Sequence, residues 1–306
     1  ADKTVKVWKN RTLNNLYTQN PHDAMINSVV YTPDQKYLIT SSGDSIVVTE
    51  GRNLNFVGAL AMPEKTGNTN AIAMTRTGDL LLSASDDGNI RTWDTKGWKL
   101  QNTFSGHLDP VLAMAINPDD ERFLSGSANG SIKLWSLSSQ KSLNTIDGHK
   151  GAVKAITISP NGKFFLSAGQ DKELKLWDAN TLTLVKAVNA HNKDIASIAV
   201  DATNQYVATS SEDGTVKIWN ANNLTLLKTF SNAGIVKDLK FSPDNTYLAG
   251  ASSNKEIKLW STDRWLEIDT IKGHTGKVST ITFSPDKRFL VSGSDDQTLK
   301  MWEMEY

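Results

Sequence analysis

Residues Gly148 to Asp178 read GHKGAVKAITISPNGKFFLSAGQDKELKLWD. Three short runs of β-branched, aromatic and aliphatic residues stand in that stretch. Ser-Pro-Asn-Gly and Gly-Gln-Asp-Lys separate them, both turn-forming clusters at hairpin spacing. A fourth run, Leu182 to Val188, follows. Apolar residues do not recur every third or fourth position over ten or more residues, so the unit reads as four strands of about five to seven residues and not as a helix. A lone four-stranded sheet leaves faces and edges open, so such a unit needs neighbours.

The sequence supplies them. Aligned on tryptophan, the chain repeats at Trp8, Trp93, Trp135, Trp177, Trp219, Trp260 and Trp302, with Thr49 in the first long gap. The steps are 41, 44, 42, 42, 42, 41 and 42 residues, so seven periods separate the first Trp from the last. Units that each bury too little stack to share a core, and a ring of seven leaves no open end. At 306 residues the chain also exceeds the size at which one core usually keeps growing.

Lys and Arg total 33 and Asp and Glu total 33, so the polycation signature of a nucleic-acid or anionic-membrane binder is missing. No cysteine is present, which excludes disulfides and thiolate metal sites. No apolar run approaches 18 residues and no signal-peptide pattern occurs, so the chain reads as soluble, intracellular and not inserted in a membrane. The absence of an initiator Met reads as a processed or excised product.

The chain resembles the WD-repeat family of β-propellers. Trp93-Asp94 and Trp177-Asp178 match the family's signature dipeptide, and Gly106-His107, Gly148-His149 and Gly273-His274 match its Gly-His start. The likeness covers the whole chain, although the second signature letter drifts to Ser136, Asn220, Ser261 and Glu303. The resemblance implies an all-β, seven-bladed propeller of four-stranded antiparallel blades, here a single domain over residues 1–306.

All five histidines occupy one repeat position, 27 or 28 residues before the tryptophan position. Complete sets are His149, Ser167, Asp171 with Trp177; His191, Thr209, Asp213 with Trp219; and His274, Ser292, Asp296 with Trp302. Those residue types are also the parts of a nucleophilic triad. An enzyme needs one such constellation, whereas this chain repeats it, so the pattern reads as architecture. The resemblance implies a hydrogen-bonded network within each blade, a sound arrangement because a buried Trp, His or Asp needs partners. The network is incomplete elsewhere. The sixth unit has Asn232, Gly250 and Asn254 beside Trp260; the third has Asn129 beside His107, Ser125 and Trp135. The second has Ser83, Asp87 and Trp93 without histidine, and the first has His22, Thr40 and Asp44 with Thr49 for Trp.

Other features read as structural. A Lys or Arg lies two residues before each Trp (Lys6, Arg91, Lys133, Lys175, Lys217, Lys258, Lys300), where its stem packs along the strand face. Trp98 and Trp265, five residues after a signature Trp, are expected to pack on a neighbouring strand. Asn10, Asn129 and Asn223 head chance sequons. No phosphate-binding loop or nucleophile elbow is present.

The family uses mainly the face bearing the Gly-His loops, and the positions beside the start of each inner strand point toward it. Carried over, these give Met25, Asn27, Pro110, Leu112, Lys154, Asp194, Ile235, Lys237 and Lys277 as a candidate partner-binding face, with Asn68, Asn70, Ala152, Ala196 and Ser279 completing the ring. Met25, Pro110 and Leu112 form an apolar arc; Lys154, Lys237 and Lys277 form a basic one interrupted by Asp194. Such a mixture suits a protein or peptide partner. The expected function is therefore a non-catalytic interaction scaffold, a subunit or adaptor in a multiprotein complex, monomeric within a larger chain or assembly, with no cofactor. Two alternatives stand beside it. A propeller enzyme or small-molecule site at the channel mouth would need convergent ionisable residues, where the inner strands read Ala, Ile, Val, Leu and Thr. Nucleic-acid or polyanion binding through the lysine arc is disfavoured by the zero net charge. One insertion, Ala61 to Asn68, lengthens a loop in the unit without histidine.

The signature strand occurs twice near the ends, as Asp2 to Trp8 and Asp296 to Trp302. Thr12 to Thr18 is expected to supply the outer strand of the C-terminal blade and so close the ring, joining residues 1–20 to 273–306. Two assignments then stand: the copy at Thr298 to Trp302 is the third strand of that blade and Thr4 to Trp8 is surplus, which keeps three consecutive C-terminal strands together and is favoured, or Thr4 to Trp8 forms a local hairpin with the outer strand and the C-terminal copy is redundant.

Overall fold

A computed structural model describes residues 13–231 and 233–304. These residues form seven four-stranded antiparallel sheets, with no helix among the described residues. In the fourth blade the strands are Val153–Ile158, Phe164–Gly169, Glu173–Asp178 and Leu184–Asn189, in spatial order from the inside outward. The first six blades repeat that order with consecutive strands.

The seventh blade does not. Its inner three strands, Val278–Phe283, Phe289–Ser294 and Leu299–Glu303, come from the C-terminal end, and its outer strand is Asn15–Gln19. The N-terminal strand pairs antiparallel with Leu299–Glu303, for example Thr18 opposite Lys300. Closure thus takes the expected form, with the pairing strand shifted a few residues along from Thr12–Thr18. The surplus copy Thr4 to Trp8 lies outside the described residues, as do Lys6, Asn10 and Asn232.

Seven apolar clusters lie between adjacent blades, which is where the burial comes from. Leu166, Leu174 and Leu176 of the fourth blade pack with Ile195, Val207 and Trp219 of the fifth. Val291, Leu299 and Met301 of the seventh pack with Ile26, Val29 and Leu38 of the first. Each apolar face is therefore covered by the next blade, as period-2 strands buried on both faces require.

Two repeated irregularities shape the surfaces. In six blades the inner strand carries one extra residue near its start, as at Lys154 between Val153 and Ala155. Such a bulge turns the side chain out of the strand alternation. It falls on Asn70, Leu112, Lys154, Ala196, Lys237 and Ser279, and so aims them at the face and channel. The turn between third and outer strands carries a non-glycine residue at positive φ: Leu54, Trp98, Gln140, Leu182, Leu224 and Trp265. Leu54 and Leu224 are buried there, so Trp98 and Trp265 are large members of a packing series. Their rings meet Tyr37 and Tyr206 of the preceding blade edge-on, with centroids 5.6 and 5.2 Å apart.

Candidate functional site

The tetrads form as hydrogen-bond chains. In the fourth blade the indole Nε1–H of Trp177 donates to Ser167 Oγ at 2.9 Å, and Ser167 Oγ lies 2.7 Å from His149 Nε2. His149 Nδ1 is 2.9 Å from the Asp171 carboxylate. The fifth blade repeats this with Trp219, Thr209, His191 and Asp213, at 2.8, 2.7 and 3.2 Å. The seventh does so with Trp302, Ser292, His274 and Asp296, at 2.9, 2.7 and 3.0 Å. An indole can only donate and a carboxylate only accept. The hydroxyl therefore gives its proton to His Nε2, and the imidazole gives its Nδ1 proton to the aspartate.

That direction requires neutral histidine and ionised aspartate, and the environment favours both. Burial holds His191 at about 4 against the opposing charge of Asp213, and burial likewise lowers His149 and His274. Burial opposes ionisation of Asp213, but hydrogen bonds from Thr215 and Asn192 outweigh it and hold the carboxyl at about 2. Asp296 is lowered in the same way by Thr298 and Thr275. The His–Asp contacts are hydrogen bonds from a neutral ring, not ion pairs.

A triad-like connectivity without access is not a nucleophile. Ser167, Thr209 and Ser292 are fully buried, and each oxygen already accepts an indole N–H. The tetrads clamp the histidine loop to the third strand. Gly106 and Gly273 of the Gly-His pairs lie against the indoles; a Cβ would sit 3.1 Å from Trp135 and 2.7 Å from Trp302.

The partial sets differ blade by blade. His107, Ser125 and Trp135 keep their chain in the third, where Asn129 turns to Asp109. His22 meets Thr40 at 2.8 Å in the first, and no hydrogen bond joins it to Asp44 among the described residues. Trp260 of the sixth has a buried Nε1 with no partner among the described residues, as its Gly250 and Asn254 lead one to expect. In the second blade Trp93 donates to Ser83, and Asp87 pairs with the buried Arg91 at 2.5 Å. The basic ladder is locally tied: Lys175 and Lys217 donate to the carbonyls of Gly148 and Ala190, at 2.7 and 2.6 Å.

On the histidine-loop face the structure adds two features to the expected one. The basic arc is largely neutralised: Lys154 meets Asp194 at 2.6 Å and Glu212 at 3.6 Å, and Lys237 meets Glu212 at 3.2 Å. Lys277 alone of the three has no ion pair among the described residues. The channel wall is also less apolar than expected, because the sixth inner strand, Val236–Phe241, brings Asp238 and Lys240 into it. Asp238 accepts from Thr280 Oγ1 and Ile281 N at 3.1 Å each and pairs with Lys240 at 3.3 Å. The letters VKDLKF carried that signal.

Of the other predicted positions, Asn27 and Asn70 tie blades together, donating to the carbonyls of Thr69 and Val111. Met25 is exposed and lines a cavity of about 360 Å³ with Asn27, Lys237, Lys277 and Asp295. Pro110, Leu112, Asp194 and Ile235 are half-buried on the rim. Leu108, 94% exposed beside Pro110, was missed; its apolar side chain directly after a loop histidine was the available signal.

A closed ring of seven four-stranded blades, four of them with a buried His–Ser/Thr–Trp chain, defines a WD-repeat propeller. The family model for the WD domain, G-beta repeat, matches seven segments, at residues 13–48, 62–94, 98–136, 140–178, 182–220, 224–261 and 265–303, and the chain belongs to that family. It is similar to pre-mRNA-processing factor 19 of Oryza sativa subsp. japonica, 31% identical over 38% of this chain and 23% of that protein. It is similar to the p21-activated protein kinase-interacting protein 1-like of Xenopus laevis, 30% identical over 33% of this chain and 27% of that protein. The target of rapamycin complex subunit wat1 of Schizosaccharomyces pombe is 24% identical over 39% of this chain and 37% of that protein. The matched stretch thus spans well under half of each relative.

Proposed function

We propose that this chain is a single-domain, non-catalytic interaction scaffold, an intracellular subunit or adaptor of a multiprotein complex, that binds a protein or peptide on its histidine-loop face. One observation carries the reading. The rim is uneven, with apolar Met25, Leu108, Pro110 and Leu112 at blades one and three and Lys277, which has no ion pair among the described residues, beside the Met25 cavity. An apolar anchor next to one unpaired charge, within a polar rim, is the composition of a protein interface. The names of the relatives agree in kind, as one is a complex subunit and another a kinase-interacting protein.

Affinity capture with the wild-type chain and with a Met25→Asp, Lys277→Glu variant tests it. The variant keeps its thermal stability and loses partners in this reading. Recovery of the same partners by both proteins removes the face from consideration.

A further inference from the structure

The opposite face, where inner strands end and third strands turn outward, holds two clefts at equivalent places. One, of about 300 Å³, lies between the first and second blades and is lined by Thr32, Lys36, Tyr37 and Lys96. The other, of about 290 Å³, lies between the fifth and sixth and is lined by Asp201, Gln205, Tyr206, Phe241 and Asp263. Each has the same aromatic corner, Tyr37 with Trp98 and Tyr206 with Trp265. Their charges differ at each of three matched positions: Thr32 becomes Asp201, Lys36 becomes Gln205, and Lys96 becomes Asp263.

In the first cleft the protein supplies its own cation. Lys36 Nζ stands 4.9 Å over the Tyr37 ring, and the lining acids Asp34 and Asp79 are balanced by Lys36 and Lys96. In the second no lining residue is cationic. Gln205 leaves the face of Tyr206 without a lysine, and two carboxylates remain.

Asp201 is the anomaly. The other six blades place a neutral residue there: Thr32, Thr75, Asn117, Ser159, Ser242 and Ser284. A hydroxyl suffices to cap the turn, as Ser159 Oγ does by accepting from Phe164 N at 3.0 Å. Asp201 Oδ1 performs that task on Gln205 N and Tyr206 N, both at 2.7 Å. Its second oxygen accepts from Thr203 N at 3.1 Å and Asn245 Nδ2 at 3.2 Å. The residue is 2% exposed, and no cation pairs with it among the described residues. The carboxylate is thus satisfied by hydrogen bonds but not in charge. Among the described residues Asp263 pairs only with its neighbour Arg264, at 3.3 Å, and both are largely exposed, a contact worth little in water.

We propose that the cleft between the fifth and sixth blades binds an arginine side chain of a partner protein. A planar guanidinium stacks on the Tyr206 ring at the cleft wall while its N–H groups reach Asp263, and the buried charge of Asp201 favours any cation placed there. The site is independent of the histidine-loop face and occupies the reverse side of the ring.

The probe is N-acetyl-L-arginine methylamide, with its neutral citrulline analogue as control, titrated into the whole chain while the indole N–H resonance of Trp265 is followed by NMR. A saturable shift with the arginine compound and none with the citrulline compound is expected. Gln205→Lys, which installs the cation found at Lys36, weakens that binding about tenfold or more. Asp263→Asn, at an exposed position, weakens it with the spectrum otherwise unchanged. A silent Trp265, an equal response to citrulline, or undiminished binding by the Gln205→Lys variant overturns the proposal.

Discussion

Acidification from pH 7.5 to 5.5 should destabilise this propeller through its five buried histidines. Burial holds His22, His107 and His191 at about 4 in the folded chain, whereas an unfolded histidine titrates near 6.5. The unfolded chain therefore binds more protons throughout that window. The stability due to neutral histidine is present above pH 6.5 and is lost as pH falls toward 4. Between pH 7.5 and 5.5 each of these three residues loses about 1.3 kcal/mol, roughly 4 kcal/mol together. His149 and His274 are shifted in the same direction and add to the loss. Asp213, held at about 2, stays ionised at both pH values and does not offset it. Urea unfolding at the two pH values measures the loss. Calorimetry in buffers of different ionisation enthalpy counts the protons taken up on unfolding, about three to four at pH 5.5. A urea midpoint that is unchanged or higher at pH 5.5, or an uptake below about one proton, refutes the assignment of neutral, donor-accepting histidines.

Ser167→Ala leaves Trp177 Nε1 and His149 Nε2 without their shared partner and should cost about 2–4 kcal/mol in urea unfolding. Gly250→Ala should also destabilise, by about 1–3 kcal/mol, because the added Cβ would lie 2.8 Å from Trp260 and 3.0 Å from Val236. Trp98→Ala removes the edge-on contact with Tyr37 and should lower stability by about 3 kcal/mol in the same assay. Removal of residues 1–9 should leave the melting temperature unchanged. Removal of residues 1–20 takes away Asn15–Gln19 and bares the edge of Leu299–Glu303, so light scattering should show concentration-dependent association.

The ring was legible because its signals are periodic and short in range. Seven tryptophan-centred steps and paired turn clusters fix strands and their number, and the repeated histidine marks which loops share a face. The histidine–hydroxyl–indole sets were legible for the same reason, since each repeats at constant spacing. The bulges were not: Ala-Val-Lys-Ala at 152–155 reads as plain alternation, and only strand pairing shows that Lys154 is the extra residue. Charge balance on the face was hidden too, because Lys154 and Lys237 find Asp194 and Glu212 across blade boundaries. Asp238 is a different case, since VKDLKF shows its charge openly and only its place in the channel wall needed the fold.

The uneven wear of the tetrads follows from shared interfaces. A blade's indole belongs to the core between that blade and its predecessor, so its burial is fixed from both sides even where its hydrogen bonds are lost. Trp260 lies fully buried against Val236, Leu239 and Leu248 and stacks on Phe230 with centroids 5.3 Å apart. An unpartnered indole N–H there costs about 1–3 kcal/mol, less than the area the ring buries is worth. The second blade meets the loss differently. Lacking histidine, it joins Asp87 to the buried guanidinium of Arg91 through two nitrogens, at 2.5 and 3.3 Å, where the fourth and fifth blades have lysines that reach the histidine-loop carbonyls. Arg91→Lys would put a shorter, one-point donor on that carboxylate. The clamp on the third-strand turn would weaken while Trp93 kept its bond to Ser83, so damage should stay local to the Ala61–Asn68 loop and not spread around the ring.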